Sequence, residues 1–196
     1  MAETNGPACL IAFAGGIGSG KSTIAEAVSN RLSIPVHSID DDKRSVGQSH
    51  PDFQQWVSQG IPFPDDFRRQ VYDRSLGRLG ELAEQHPVVI VEETFHRAKL
   101  REPFFESARQ MFGRVCLIEI VVDSGVSIAH LEKRAQTEAG HLAGRAMFES
   151  FAAVADPIVD ADLVVENNRD LESAVLEVCS FLAVEGLTSA AERLNR

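Results

Sequence analysis

Gly15-Gly16-Ile17-Gly18-Ser19-Gly20-Lys21-Ser22-Thr23 holds the densest chemistry in the chain. From Gly15 to Ser22 it keeps the spacing of a phosphate-binding loop: Gly, four residues, then Gly-Lys-Ser/Thr. Glycines let successive backbone N–H groups turn inward onto phosphate oxygens, and a helix starting behind them adds positive dipole. Gly16, Gly18, Ser19, Gly20, Lys21, Ser22 and Thr23 are therefore candidate nucleotide contacts. Lys21 has the reach for β- and γ-phosphates, and the Ser22 hydroxyl suits Mg²⁺. The dinucleotide fingerprint G-x-G-x-x-G is not met, because Lys21 stands where its last glycine would fall. An inert glycine-rich turn is the rival reading, and the strand-like and helix-like flanks weigh against it.

Acids follow two further apolar runs, as Asp40-Asp41-Asp42 and as Glu92-Glu93-Thr94. In phosphoryl transfer one carboxylate can accept the proton of an attacking hydroxyl and another can organise Mg²⁺. The triplet is the better source of the base, at Asp40 or Asp41; its bland alternative is a solvated turn of capping acids. Arg44 beside it could hold an anionic or polar acceptor. Glu92 stands where a metal-organising acid would follow a buried strand. In a continuing strand Glu92 and Glu93 face opposite sides, so at most one faces the metal. Lys133-Arg134 and Arg145 flank Gly140–Gly144. A helix, a glycine-bounded tip and a second helix with basic residues suit a lid that closes on phosphates and excludes water.

The elements that must position these residues alternate strand and helix, which predicts a parallel sheet covered on both faces. Strands are expected at 9–14, 34–39, 88–91, 115–122 and 161–166. Helices are expected at 22–32, from Asp65-Asp66 to near His86-Pro87, at 98–111, 127–138, 145–154 and 171–184. Residues 43–65 read as an irregular excursion, with Phe53, Trp56 and Phe63 able to line an acceptor pocket or to pack locally. The 196 residues suit one α/β domain, 1–196, with that excursion and a lid at about 134–145.

A net charge of −10 argues against a nucleic-acid-coating surface. Cys9, Cys116 and Cys179 lie in apolar runs and read as core residues rather than a disulfide framework or a metal site. The polar N-terminus leads through one short apolar run into the phosphate loop, which suits a strand rather than a signal peptide. No apolar stretch approaches the roughly 20 residues of a membrane span. A cytoplasmic setting is the expectation.

With these residues in view the chain resembles the small P-loop kinases of the nucleoside monophosphate kinase-like group. The resemblance implies a three-layer α/β P-loop NTPase fold with a central five-stranded parallel sheet and a small lid. It also implies ATP and Mg²⁺ as cofactors and a small-molecule acceptor. The phosphate loop and Ala161-Asp162-Leu163-Val164-Val165-Glu166-Asn167-Asn168 are similar to dephospho-CoA kinases, which makes Asn167 and Asn168 candidates for base contact. Asp41-Asp42-Lys43-Arg44 and Glu92-Glu93-Thr94-Phe95 look more like the polynucleotide kinase and zeta-toxin-like small-molecule kinases, with Asp41 as base. Uridine and nicotinamide riboside kinases would instead make the base Asp40. The implied activity is ATP- and Mg²⁺-dependent phosphorylation of a small-molecule hydroxyl, nucleoside- or nucleotide-like metabolites included. Lys21, Arg134 and Asp41 or Asp40 are its catalytic candidates. Ser22 and Glu92 would serve the metal, and Arg44, Phe53, Trp56 and Arg145 the acceptor. Dephospho-CoA kinase is the alternative enzyme, and a nucleotide-gated switch without acceptor chemistry the alternative class.

Overall fold

The computed structural model describes residues 8–59, 61–137, 144–168 and 170–188. Five apolar runs become the strands β1 (Cys9–Ala14), β2 (Val36–Ser38), β3 (Val88–Glu92), β4 (Arg114–Val121) and β5 (Leu163–Glu166). They form one all-parallel sheet in the order β2-β3-β1-β4-β5. All five residues of β3 are buried, as expected of an inner strand covered on both faces.

The two-residue side-chain period of β1 sorts its residues between two helical layers. Ile11 and Phe13 join Ile24, Val28, Val175 and Val178, contributed by α1 (Lys21–Leu32) and α8 (Leu171–Val184). Leu10, Ala12 and Ala14 join Tyr72, Leu79, Leu100 and Phe104 from α4 (Asp65–Ala83) and α5 (Ala98–Met111) on the other face. The result is the expected three-layer α/β P-loop fold. Cys116 is part of the first layer, where burial pushes its thiol up to about 12.

The crossovers leaving β1 and β3 run to opposite sides of the sheet. Their carboxyl ends therefore open a crevice, the usual ligand site of a doubly wound sheet. Register fixes which residues meet there, since Phe13 pairs with Glu92 and Glu92 with Ser38.

The excursion differs from the irregular segment expected of it. β2 stops at Ser38, and the aspartate triplet forms the first turn of a helix, α2 (Ile39–Gly47). Three acids complement the positive end of a helix, whereas Asp is a poor strand former. A short α3 (Phe53–Gln59) follows. Its Phe53 and Trp56 pack with His50, Phe63 and Phe67, ring centroids 4.3–6.0 Å apart, into an aromatic cluster at the start of α4. The expected lid helices are α6 (Ser124–Thr137) and α7 (Gly144–Ala152), and the lid tip at 139–143 lies outside the described residues. No described helix is long and apolar enough to cross a membrane.

Candidate active site

The phosphate loop joins β1 to α1 through backbone conformations that only glycine takes up cheaply. Gly18 and Gly20 have φ of 76° and 86°, and Gly20 is the N-cap of α1. The first turn of α1 carries no acidic residue, which leaves its positive end free for an anion. A Cβ on Gly20 would lie 2.4 Å from Asn167 Nδ2, and that amide donates to the Ser19 carbonyl at 2.8 Å. The loop is thus latched to the end of β5. Its tip is held from α6, where the Ser127 hydroxyl donates to the Ile17 carbonyl at 3.2 Å and His130 Nδ1 lies 3.0 Å from the Gly18 carbonyl. Ser19 Oγ is buried without a hydrogen-bond partner among the described residues, a polar atom suited to a phosphate oxygen.

Lys21, Ser22, Asp40, Asp41, Arg44, Glu92 and Arg134 line one cleft of about 580 Å³ with the loop glycines Gly18 and Gly20. Glu92 accepts hydrogen bonds from the Ser22 hydroxyl, at 2.8 Å, and from the Ser38 hydroxyl. A carboxylate beside hydroxyls is an oxygen donor set of the kind Mg²⁺ prefers, so these residues fit the ion.

Glu93 reaches the same cleft because the chain turns out of the strand after Glu92. Phe95 has φ of 48°, a costly conformation for an aromatic residue. Its fully buried ring, 4.8 Å from Phe105 and 5.2 Å from Phe104, holds the turn in place. The two acids then take different partners. Glu93 Oε2 accepts from Lys43, and Oε1 accepts from the Thr94 hydroxyl at 2.6 Å. Burial alone would push the Glu93 carboxyl up, but Lys43 and Arg68 hold it well below the usual carboxylate range. Thr94 Oγ1 lies 2.7 Å from His96 Nδ1. The one Thr94 hydroxyl proton goes to Glu93, so Nδ1–H of His96 must donate to Thr94.

The three aspartates also separate. Asp42 is 4 % exposed and structural: His37 Nε2 and the Ser75 hydroxyl lie 2.6 Å from its Oδ2, and Arg74 Nε donates to Oδ1 at 3.1 Å. It pins α2 to β2 and α4. Asp40 and Asp41 face the cleft. Asp40 accepts from Lys43 at 2.7 Å, so Lys43 ties it to Glu93. Asp41 is exposed and pairs with Arg44 at 2.7 Å.

Other candidates fall outside the cleft wall. Phe53 and Trp56 stand behind Phe63, which lines it. Arg145 is exposed and faces Glu149 on its own helix at 3.8 Å, whereas Arg134 lines the cleft. Asn167 and Asn168 line an adjoining cavity of about 520 Å³ with Thr23, His130 and Arg134. Both also fasten the fold: the Asn167 backbone N–H donates to the Val121 carbonyl, and Asn168 Oδ1 accepts from the Asp123 N–H. Glu93, weighed from sequence against Glu92 for the metal, also lines the cleft, as do Lys43, Arg68 and the α7 side chains Met147 and Phe151, which were not singled out as site residues from sequence.

Residues 10–158 match the AAA_33 family, described as an AAA domain. The chain belongs to that family. No curated protein sequence matches it. Among solved structures, the AAA_33 chain resembles a sugar kinase from Janibacter sp. HTCC2649 at 17 % identity and TM-score 0.68, over 91 % of this chain and 95 % of the other. It resembles a gluconokinase from Sinorhizobium meliloti 1021 at 23 % identity and TM-score 0.65, over 90 % and 92 %. It also resembles the Mycobacterium tuberculosis APS kinase in complex with AMPPNP and APS, at 15 % identity and TM-score 0.65, over 91 % and 99 %. At these identities the likeness is one of fold, that of small P-loop kinases. Dephospho-CoA kinase is not indicated by these comparisons.

Proposed function

We propose that this AAA_33 domain is an ATP- and Mg²⁺-dependent kinase that phosphorylates a hydroxyl of a small molecule. One observation carries the reading: Lys21 and Ser22 of the phosphate loop line the same cleft as Asp40, Asp41 and Glu92. A nucleotide-gated switch needs no acids facing an acceptor across its triphosphate site.

The loop N–H groups and Lys21 bind the phosphates, and Arg134 reaches them from α6. Ser22 and Glu92 would hold Mg²⁺, which when bound supplies positive charge to the β- and γ-phosphate oxygens. Asp40 orients the acceptor hydroxyl and takes its proton as oxygen attacks phosphorus. The Lys43 tether supports Asp40 over Asp41, because Lys43 is anchored on the buried Glu93 whereas the Arg44 that pairs with Asp41 is itself exposed. Met147 and Phe151 cover the cleft from α7 and exclude water.

A pooled metabolite screen for ATP-dependent phosphorylation tests the activity. With an acceptor in hand, Lys21→Ala and Asp40→Asn should each lower kcat at least about a hundredfold in folded protein. Asp41→Asn should cost far less. Full transfer by the Lys21→Ala protein would end the kinase assignment, and a larger loss in Asp41→Asn than in Asp40→Asn would move the base to Asp41.

A further inference from the structure

Arg68 has no part in the reaction as read above, yet its charge is poorly accommodated for a buried group. It lies in the first turns of α4, 3 % exposed, and lines the cleft beside Lys43, Glu93 and Thr94. Its guanidinium carbon is 5.9 Å from the centre of the Phe63 ring.

A guanidinium buried to this degree ordinarily sits on a carboxylate. Among the described residues no carboxylate oxygen lies within 4.0 Å of it, because the neighbouring acids are engaged elsewhere. Glu93 gives one oxygen to Lys43 and the other to Thr94, Asp40 is bound by Lys43, and Asp65 by Arg97 and Lys99. Arg68 Nε is buried with no hydrogen-bond partner among the described residues. Its charge acts on Glu93 without direct contact, and its hydrogen-bonding neighbour is the Tyr72 hydroxyl, which burial keeps protonated and therefore neutral.

Arg101 shows how this fold treats a buried arginine that serves structure. It is 6 % exposed and donates to the carbonyls of Phe95, Asp156 and Pro157. Arg68 has no such set of acceptors and faces the ligand cleft instead.

We propose that Arg68 is an anion-binding residue of the acceptor site, and that the acceptor is a hydroxylated compound bearing a second oxyanion, a carboxylate or a phosphate. A bidentate oxyanion on the guanidinium would satisfy the orphaned donor and neutralise the buried charge in one contact. Phe63 covers the stem of that contact. The same demand rejects neutral polyols, which would leave the cation buried and unpaired. The word acceptor rests on the kinase reading; the anion site itself does not.

The test is thermal unfolding of the full chain with ADP and Mg²⁺ saturating the phosphate loop. Sulfate and glycerate serve as the tetrahedral and planar probes, for wild type, Arg68→Met and Arg68→Lys. At about ten times Kd, one probe or both should raise the wild-type Tm by roughly 3–6 °C. Arg68→Met should lose that rise and Arg68→Lys keep part of it. Without anion, the Tm of Arg68→Met is the baseline from which its own shift is read, because the substitution also withdraws a cation from Glu93. Two results overturn the proposal: no rise in wild type with either probe, or an equal rise in Arg68→Met. Neither readout involves phosphoryl transfer, so a metabolite screen that finds no acceptor while the anion rise persists defeats the kinase reading alone. In that screen anionic acceptors should exceed their neutral analogues at least about a hundredfold in kcat/KM, and a preference for the neutral partner would overturn the acceptor class.

Discussion

His96 should make the protein acid-sensitive in a window set by its burial. It is 7 % exposed, beneath the Phe151 ring and bonded to Thr94. Burial, with the Arg68 guanidinium adding to it, holds the imidazole down to about 3, from an ordinary 6.5. The unfolded chain therefore takes up a proton as pH falls through 6.5, while the folded chain stays neutral until about 3. The unfolded state binds more protons across that interval, so folding stability falls with pH by up to about 1.36 kcal/mol per unit. Stability is whole above 6.5, and at about pH 5 the loss from this one group is roughly 2 kcal/mol. His96→Asn keeps a donor near the Nδ1 position and removes the titration. Urea unfolding of both proteins at about pH 7.5 and about pH 5 isolates the effect, because the other carboxylates titrate alike in the two. Wild type should lose roughly 2 kcal/mol more than His96→Asn, or about 4–8 °C in Tm. Equal losses would refute the neutral, buried imidazole.

Two further substitutions probe the site's scaffold. Gly20→Ala puts a side chain at φ 86° and drives Asn167 Nδ2 off the Ser19 carbonyl, so it should cost about 1–2 kcal/mol in urea unfolding and weaken ATP binding by calorimetry. Unchanged stability and affinity would dismiss the latch between the loop and β5. Lys43→Met strips Glu93 of its direct cation and should destabilise by about 3–5 kcal/mol. Lys43→Met/Glu93→Gln should recover most of that loss in denaturant melts, and no recovery would mean that the pair is not what the lysine stabilises.

What was legible in the sequence was local. The phosphate loop declares itself because its glycines, its lysine and the helix behind it are contiguous, and the apolar run 88–91 exposes Glu92 as the acid at its end. The hidden part depended on the phase of helices and on where strands stop. Arg68 and Arg69 are the same residue type side by side, yet one is 3 % exposed and the other pairs with Asp66 at the surface. Arg134 and Arg145 flank the segment expected to form a lid, but the helix faces that carry them put Arg134 on the cleft and Arg145 off it. Phe53, Trp56 and Phe63 have equal claims from spacing, and it takes the aromatic cluster to turn Phe63 toward the site and the other two away. The triplet of aspartates reads as a strand end until the end of β2 at Ser38 makes it a helical turn that aims its members in different directions.

Glu92 and Glu93 show why adjacency in sequence does not give equivalence in chemistry. Alternation along a strand would send one of them away from the cleft. The sheet ends at Glu92 and the strained Phe95 re-aims the chain, so both arrive, and the side chains waiting for them assign their roles. Glu92 meets hydroxyls and keeps its negative charge available for a cation. Glu93 meets Lys43 and Arg68, so its charge is spent on holding Asp40 through Lys43. Charge within the cleft is thereby sorted. Asp40 and Glu93 share one lysine, Asp41 has Arg44, and Lys21 at the phosphate loop and Arg68 at the α4 wall have no carboxylate within 4.0 Å among the described residues. Cations with no carboxylate in direct contact on both the loop and the opposite wall suit the proposed transfer between two anionic ligands, since each ligand would bring the contact that its lysine or arginine lacks.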